Sequence, residues 1–277
     1  MTEIRQHTAD PALFSLIPRM DALAFVRMHR ILSHGLSFVL TDERSCLLVQ
    51  GMPDEPVWVW TARGCSVETL HGLLMSLSQL DEMGRLPGIV SKSRFLSLAA
   101  LAFENEPFMR QCLHVYRMDA LRPFDAPGEY LSGRDVSAER AGELIAALAA
   151  SAGEPISPSV RREMGLAFSK STDTAAWRAP DGAIVSIAKR ADTWDRYTDV
   201  HTVVTDEAYR NRGYAKAMLS RLCREILDDG RIPMLYADRD YAPSNAAYAA
   251  IGFQKVTQLY VLRRIGDNRK GEHANDR

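Results

Sequence analysis

Apolar and polar positions along this chain change period several times, and the changes divide it into short segments. Early on, "LSFVLTDERSCLLVQGMPDEPVWVW" sets β-branched and aromatic runs between the turn formers Asp-Glu and Met-Pro-Asp, which predicts a strand meander. Trp58 and Trp60 fall on one face of its last strand and Val57 and Val59 on the other, a pattern of core packing. Ser66 then caps a helix over "VETLHGLLMSLSQL", where Leu70, Leu73, Leu74 and Leu77 recur at three- and four-residue steps. "SRFLSLAALAF" predicts a second helix and "CLHVYRM" a closing strand. At 121–135, "LRPFDAPGEYLSGRD", periodicity fails among prolines and glycines. A domain boundary is expected there, with one α/β domain over 1–125, a second over 130–265 and a frayed tail over 266–277.

The second half alternates more regularly. A helix over "AERAGELIAALAAS" and another opening at Ser157-Pro158 precede two strands, "TAAWRA" and "AIVSIAKRA", which flank the turn Pro180-Asp181-Gly182. Then come a strand over 198–205, a helix over 213–229, the strand "PMLYAD", the short helix "NAAYAAI" and the strand "FQKVTQLYVLRR". The fold class is therefore α/β (α+β), a mixed sheet flanked by helices.

Composition narrows the partners. With 34 basic and 35 acidic residues in 277 there is no basic footprint for nucleic acid or an anionic membrane, so any anion must be met locally. Cys46, Cys65, Cys112 and Cys223 have no zinc spacing, and His29, His34, His71 and His114 have none either; no metal is expected. No apolar run approaches the ~20 residues that span a bilayer, and the N-terminus lacks a basic-then-apolar leader, so a cytoplasmic protein is expected.

The segment 205–219, "TDEAYRNRGYAKAML", carries the chemistry. A helix N-terminus presents N–H groups without intrahelical acceptors, and with the helix dipole these attract anions. Gly213 removes a side chain from that end, Arg210 and Arg212 add cationic donors, and the small Ala215 leaves room one turn on. The helix behind has an apolar face of Met218, Leu219, Leu222, Ile226 and Leu227, and Gly230 ends it. Such a segment fits a pyrophosphate.

"TVVTDEAYRNRGYAKAML" resembles the acyl-CoA signature of the GNAT superfamily of N-acetyltransferases, R/Q-x-x-G-x-G/A, at Arg210, Gly213 and Ala215. "SNAAYAAIGFQKV" is similar to that superfamily's second signature, at Asn245, Tyr248, Gly252 and Phe253. The resemblance covers about 135–264 and implies a GNAT-like twisted sheet. It also implies acetyl-CoA as acyl donor, its pantetheine paired with the backbone of Val203, Val204 and Thr205 and touched by Asn245. Its pyrophosphate would meet the amides of Asn211, Arg212, Gly213, Tyr214 and Ala215. Tyr248 stands where similar enzymes keep the tyrosine that protonates the leaving sulfur, and the Val204 N–H would meet the oxyanion.

For the base the sequence offers Asp199 and His201, which share a strand face by alternation, as do Val203 and Thr205; a surface carboxylate and a structural imidazole are the plain alternatives. The strand lacks the glutamate that similar enzymes often use. The expected activity is transfer of an acetyl group to a primary amine of a small or amino-acid-like molecule, and a homodimer is compatible with it. A non-catalytic acyl-CoA sensor is the alternative, and an aminoacyl-tRNA-dependent transferase is disfavoured by the near-neutral charge. In the first half "VWVWTARGCS" faintly resembles the cradle, but Arg63 and Gly64 are adjacent, so a degenerate GNAT-like half without cofactor is expected. It would shape the amine cleft between domains, or else serve as an unrelated dimerisation domain.

Overall fold

The computed structural model describes residues 4–35, 37–103 and 108–264, so the expected tail at 266–277 lies outside the described residues. The chain divides into two compact units. One holds the described residues up to Val115 with Asp238–Asp240 and the strand from Thr257; the other holds Tyr116–Ala237 and Tyr241–Val256.

The first unit begins with β1 (Arg5–His7) and two short helices, α1 (Arg19–Ala22) and α2 (Val26–Ser33). The expected meander follows as β2 (Phe38–Thr41), β3 (Cys46–Gln50) and β4 (Val57–Thr61), antiparallel throughout. The Ser66 hydroxyl accepts the Thr69 N–H and caps α3 (Val67–Glu82), which buries Leu70, Leu73 and Leu77. This crossover brings β5 (Gly88–Ser91) parallel to β4, and α4 (Ser93–Ala102) and β6 (Phe108–Arg117) complete the run. The aliphatic core lies between α3, α4 and β2–β5. The four cysteines are buried free thiols.

The β2–β3 turn is locked by one carboxylate. Burial alone would raise the Asp42 carboxyl, but the Ser45 hydroxyl and the amides of Ser45, Arg44 and Cys46 outweigh it and hold it down at about 2. The last strand of the chain, β12 (Gln254–Arg264), joins this unit from Thr257, with Tyr260 opposite Ser91 and Leu262 opposite Ile89. Leu262 enters the same core, and Arg264 pairs with Asp81 and lies 4.9 Å over the Phe108 ring.

The second unit holds β7 (Glu129–Ser132), α5 (Ala138–Ser151), α6 (Pro158–Lys170), β8 (Thr174–Arg178), β9 (Ile184–Asp192) and β10 (Tyr197–Thr205). Then come α7 (Tyr214–Asp228), β11 (Ile232–Asp238) and α8 (Ala242–Ile251). Ser137 and Ser157 cap α5 and α6 through their hydroxyls. Strands β7 to β10 are antiparallel, and the α7 crossover makes β11 parallel to β10. On one face Leu131, Leu144, Ile145, Phe168, Ile187 and Val204 pack with α5 and α6. On the other, Trp177, Val200, Tyr214, Leu222, Leu235 and Tyr248 pack with α7 and α8.

The compact units divide at Val115/Tyr116, and the aperiodic stretch near 121–128 belongs to the second unit because it is fastened there. Leu121, Phe124 and Ala126 pack on the α7 cluster, the Phe124 N–H donates to Ser220 Oγ (2.9 Å), and Trp177 Nε1 donates to Pro127 O (3.3 Å). Its prolines shape a strap whose hydrogen bonds go to side chains and loop carbonyls, and such a strap has no sequence period.

Candidate functional site

Strand β10 is regular until His201, which pairs with Lys189 of β9; pairing resumes at Val204 opposite Ile187. Thr202 and Val203 therefore oppose Ala188 alone, a β-bulge, and Thr202 takes φ +55°, a conformation that a β-branched residue adopts only under tertiary constraint. The bulge resets the alternation. Val200 and Val203 face the α7 cluster, whereas Val204 faces α5 and α6. His201 lies with its partner Lys189 on the α5/α6 face, where the Lys189 ammonium sits 5.8 Å over Phe168. Strict alternation would have put Val203 with Asp199 and His201; the inserted residue moves it to the opposite side.

Parallel pairing of β10 with β11 runs over Tyr197–Asp199 opposite Ile232–Met234, while β10 continues to Thr205 and β11 to Asp238. Beyond Asp199 the two strands separate. The opening contains the bulge and leads to the start of α7. Of the backbone acceptors there, Val204 O already receives Ser186 Oγ (2.9 Å) and Thr205 O receives Arg210 Nε (3.4 Å), each keeping a second lone pair.

At the end of β10 the Asp206 carboxylate caps a single 3-10 turn, Glu207–Tyr209, and is itself held by Arg140. Asn211 (φ +63°) and Gly213 (φ +85°) then swing the chain into α7. A Cβ on Gly213 would lie 2.8 Å from the Phe124 ring, so its missing side chain makes room for this ring as well as permitting the left-handed turn. Gly213 supplies no side-chain cap, and the first turn of α7 holds no acidic residue. The first intrahelical bond is Ala217 N–H to Gly213 O (3.0 Å), which leaves the N–H groups of Tyr214, Ala215 and Lys216 without helical acceptors.

Both arginines brace the preceding turn. Arg210 reaches Thr205 O and Glu207, and Arg212 donates to Ala208 O (3.2 Å) and lies 5.1 Å over the Tyr209 ring. Lys216, absent from the expected set, stands on the first turn with its ammonium 3.9 Å over Phe124. The Tyr214 side chain is buried in the core.

Helix α8 begins at Ala242 with Pro243 in its first turn, three residues before Asn245, which the sequence placed at the helix start. Asn245 Oδ1 accepts from Tyr116 Oη (2.8 Å) and its Nδ2 donates to Tyr241 O (3.0 Å). Tyr248 is buried between Tyr116 (6.2 Å between rings) and Phe253 (5.9 Å). Burial pushes its phenol up to about 12, against a weaker lowering by Ser244. Asp199 is fully buried, and His201, half-exposed, has Nδ1 2.9 Å from Thr202 Oγ1. Val203, Tyr214 and Tyr248 thus meet on the α7/α8 face and His201 on the α5/α6 face. Thr202, Tyr116 and Phe124 carried no local signal, since each matters through a contact distant in sequence.

A family model described as FR47-like protein matches residues 188–262, which run from β9 through β10, α7 and α8 into β12. A GCN5-related N-acetyltransferase from Sphaerobacter thermophilus superposes with TM-score 0.63 at 18% identity, covering 94% of this chain and 95% of that one. A GNAT-family acetyltransferase from Colwellia psychrerythraea matches at 0.58 and 12%, covering 95% and 99%. The fold is that of the GNAT acetyltransferases. A tandem GNAT protein from the clavulanic acid biosynthesis pathway also matches across both units, at 0.57 and 14% identity, covering 94% of this chain and 98% of that one. A search of curated proteins by sequence finds no relative. The same order of elements occurs twice in the chain: a strand, two helices, three antiparallel strands, a crossover helix to a parallel strand, a helix and a last strand. Among the described residues no cluster of metal-binding side chains occurs, and no helix is long and apolar enough to cross a membrane.

Proposed function

We propose that the protein is an acetyl-CoA-dependent N-acetyltransferase that passes the acetyl group directly to a primary amine of a small, amino-acid-like molecule. The observation that carries this reading is the uncapped, acid-free start of α7 beside a strand that is bulged and parted from its neighbour. The amides of Asn211 to Ala215 hold the pyrophosphate. The edge of β10 at Val203, Val204 and Thr205 pairs with the pantetheine, and the amides of the bulge, Val203 and Val204, aim at the developing oxyanion.

Transfer needs a proton removed from the amine and one delivered to the sulfur. His201, half-exposed on the α5/α6 face, is better placed than the fully buried Asp199 to accept the amine proton, directly or through water. Tyr248 serves the sulfur from the opposite face. Burial raises its phenol to about 12, which makes it a weaker acid than a free thiol at ~8.5. Its role is therefore a hydrogen bond to the departing thiolate, with the net proton passing from amine to sulfur. Asn245, held by Tyr116, orients the pantetheine beside it.

Calorimetric titration of acetyl-CoA into the wild type and Ala215→Glu tests this. A glutamate in the first turn suits the helix dipole and keeps α7 folded, yet repels a diphosphate. Micromolar binding lost in the variant supports the reading, and no binding by the folded wild type ends it. Turnover of an amine panel, weakened by Tyr248→Phe, excludes a non-catalytic acyl-CoA sensor.

A further inference from the structure

Adjacent residues of β9 are treated in opposite ways. The Arg190 guanidinium is met by three carboxylates, Asp173 (3.7 Å), Glu225 (3.8 Å) and Asp229 (3.9 Å). Lys189 points to the other face, is half-buried, and makes no ion pair among the described residues; its ammonium lies 5.8 Å over the Phe168 ring. Desolvation lowers its pKa with no neighbouring charge to oppose it. An ammonium withdrawn from water without an anion is unfavourable, and a ring quadrupole offsets only part of that.

Its position gives it an object. Lys189 is directly opposite His201 on β10 and Thr174 on β8, so the Lys189 and His201 Cβ atoms are cross-strand neighbours at about 5 Å. The Thr174 hydroxyl is spent on Phe168 O and Ser171 O. Among these neighbours Lys189 is the one fixed positive charge, one strand away from the bulge and on the face of the proposed base.

We propose that Lys189 binds a carboxylate on the acceptor, so that the acceptor class is an amine that also carries a carboxylate, an amino acid in chemical kind. This rests on the transferase reading above. An acceptor whose nitrogen approaches the bulge from the α5/α6 face places a nearby carboxylate within reach of the lysine stem, where the ammonium and the anion would be each other's counter-charge.

The test uses the full-length protein, acetyl-CoA, the common amino acids and their carboxamides. The wild type should show at least a tenfold lower KM for an acid than for its amide. Lys189→Met, whose apolar stem still covers Phe168, should erase that difference by raising KM for acids alone, and Lys189→Arg should restore most of it. Acetyl-CoA titration of the same samples should stay unchanged, and the melting temperature of Lys189→Met should be equal to or slightly above that of the wild type, because a desolvated ammonium is removed. Equal KM changes for acids and amides, or a wild type that prefers amides, overturns the inference. So does a wild type that binds acetyl-CoA but neither turns over nor binds any amino acid in calorimetry with CoA present. Loss of acetyl-CoA binding in the wild type would be a different failure, that of the transferase reading itself.

Discussion

Two strand–turn–helix elements occur in this chain, β4 into α3 and β10 into α7, each returning to a strand parallel to the first. At the first helix Ser66 fills the N-terminus with its own hydroxyl, and Glu68 adds a negative charge in the first turn. At the second helix Gly213 fills nothing, and Lys216 stands where an acid would help the helix. Strand β4 is short, in unbroken register with β3, and runs three residues past its pairing with β5, where Ser91 Oγ occupies its Val59 carbonyl; β10 is bulged and runs six residues past its pairing with β11. The same topology is thus closed in one unit and open in the other. A capped helix contributes about 1 kcal/mol of stability that the open one forgoes, and unsatisfied amides are what an anion site requires.

The largest effect should come from closing the open end. Ala215→Glu should weaken acetyl-CoA binding at least a hundredfold, about 3 kcal/mol, with an unchanged or slightly higher melting temperature. The mirror change, Ser66→Gly, should create no acetyl-CoA binding at α3, because Glu68 and the regular β4 remain; calorimetry reads both.

Next in size is Tyr248→Phe, expected to lower kcat about a hundredfold while KM for acetyl-CoA stays within a factor of three. The pH dependence has a defined sign. With its folded pKa raised to about 12 from an unfolded ~10, Tyr248 contributes stability below pH ~10 and loses it as pH rises from 10 to 12. Wild type should therefore keep its phenol protonated through pH 9 in a rate profile, and Tyr248→Phe should unfold less steeply above pH 10.

Two glycines give a smaller contrast. Gly213→Ala should cost about 1–2 kcal/mol, from positive φ and the Phe124 ring 2.8 Å from the new Cβ. Gly64→Ala in the other turn meets nothing within 4 Å and should stay within about 0.5 kcal/mol in denaturant melts. At the closed end, Ser66→Ala should cost ~1 kcal/mol of stability and leave turnover unchanged.

Much of this contrast is legible residue by residue. Ser66, Ser137 and Ser157 announce their helices, Leu70, Leu73 and Leu77 their buried face, and Arg210 to Ala215 the missing cap, because each depends on neighbours within one or two turns. β1, α1 and the eight-residue α2 at the start of the chain, the edge strand β7 and the four-residue β5 escaped; all but α2 are too short to show a period. The strap near Phe124 read as a linker, since its order comes from Ser220 and Trp177 far along the chain.

By itself, then, the sequence supplied most of the element types and, as an expectation, the candidate set from Asp199 to Tyr248, all matters of local spacing and backbone chemistry. Tertiary structure decided the rest. Registration against β9 produced the bulge at Thr202 and with it the face on which each side chain of β10 falls. The core of the first unit drew in β12. Packing across strands surrounded Arg190 with carboxylates and set the Lys189 ammonium over an aromatic ring, a difference that adjacent letters in a sequence cannot carry because it is set by what each face of the sheet meets.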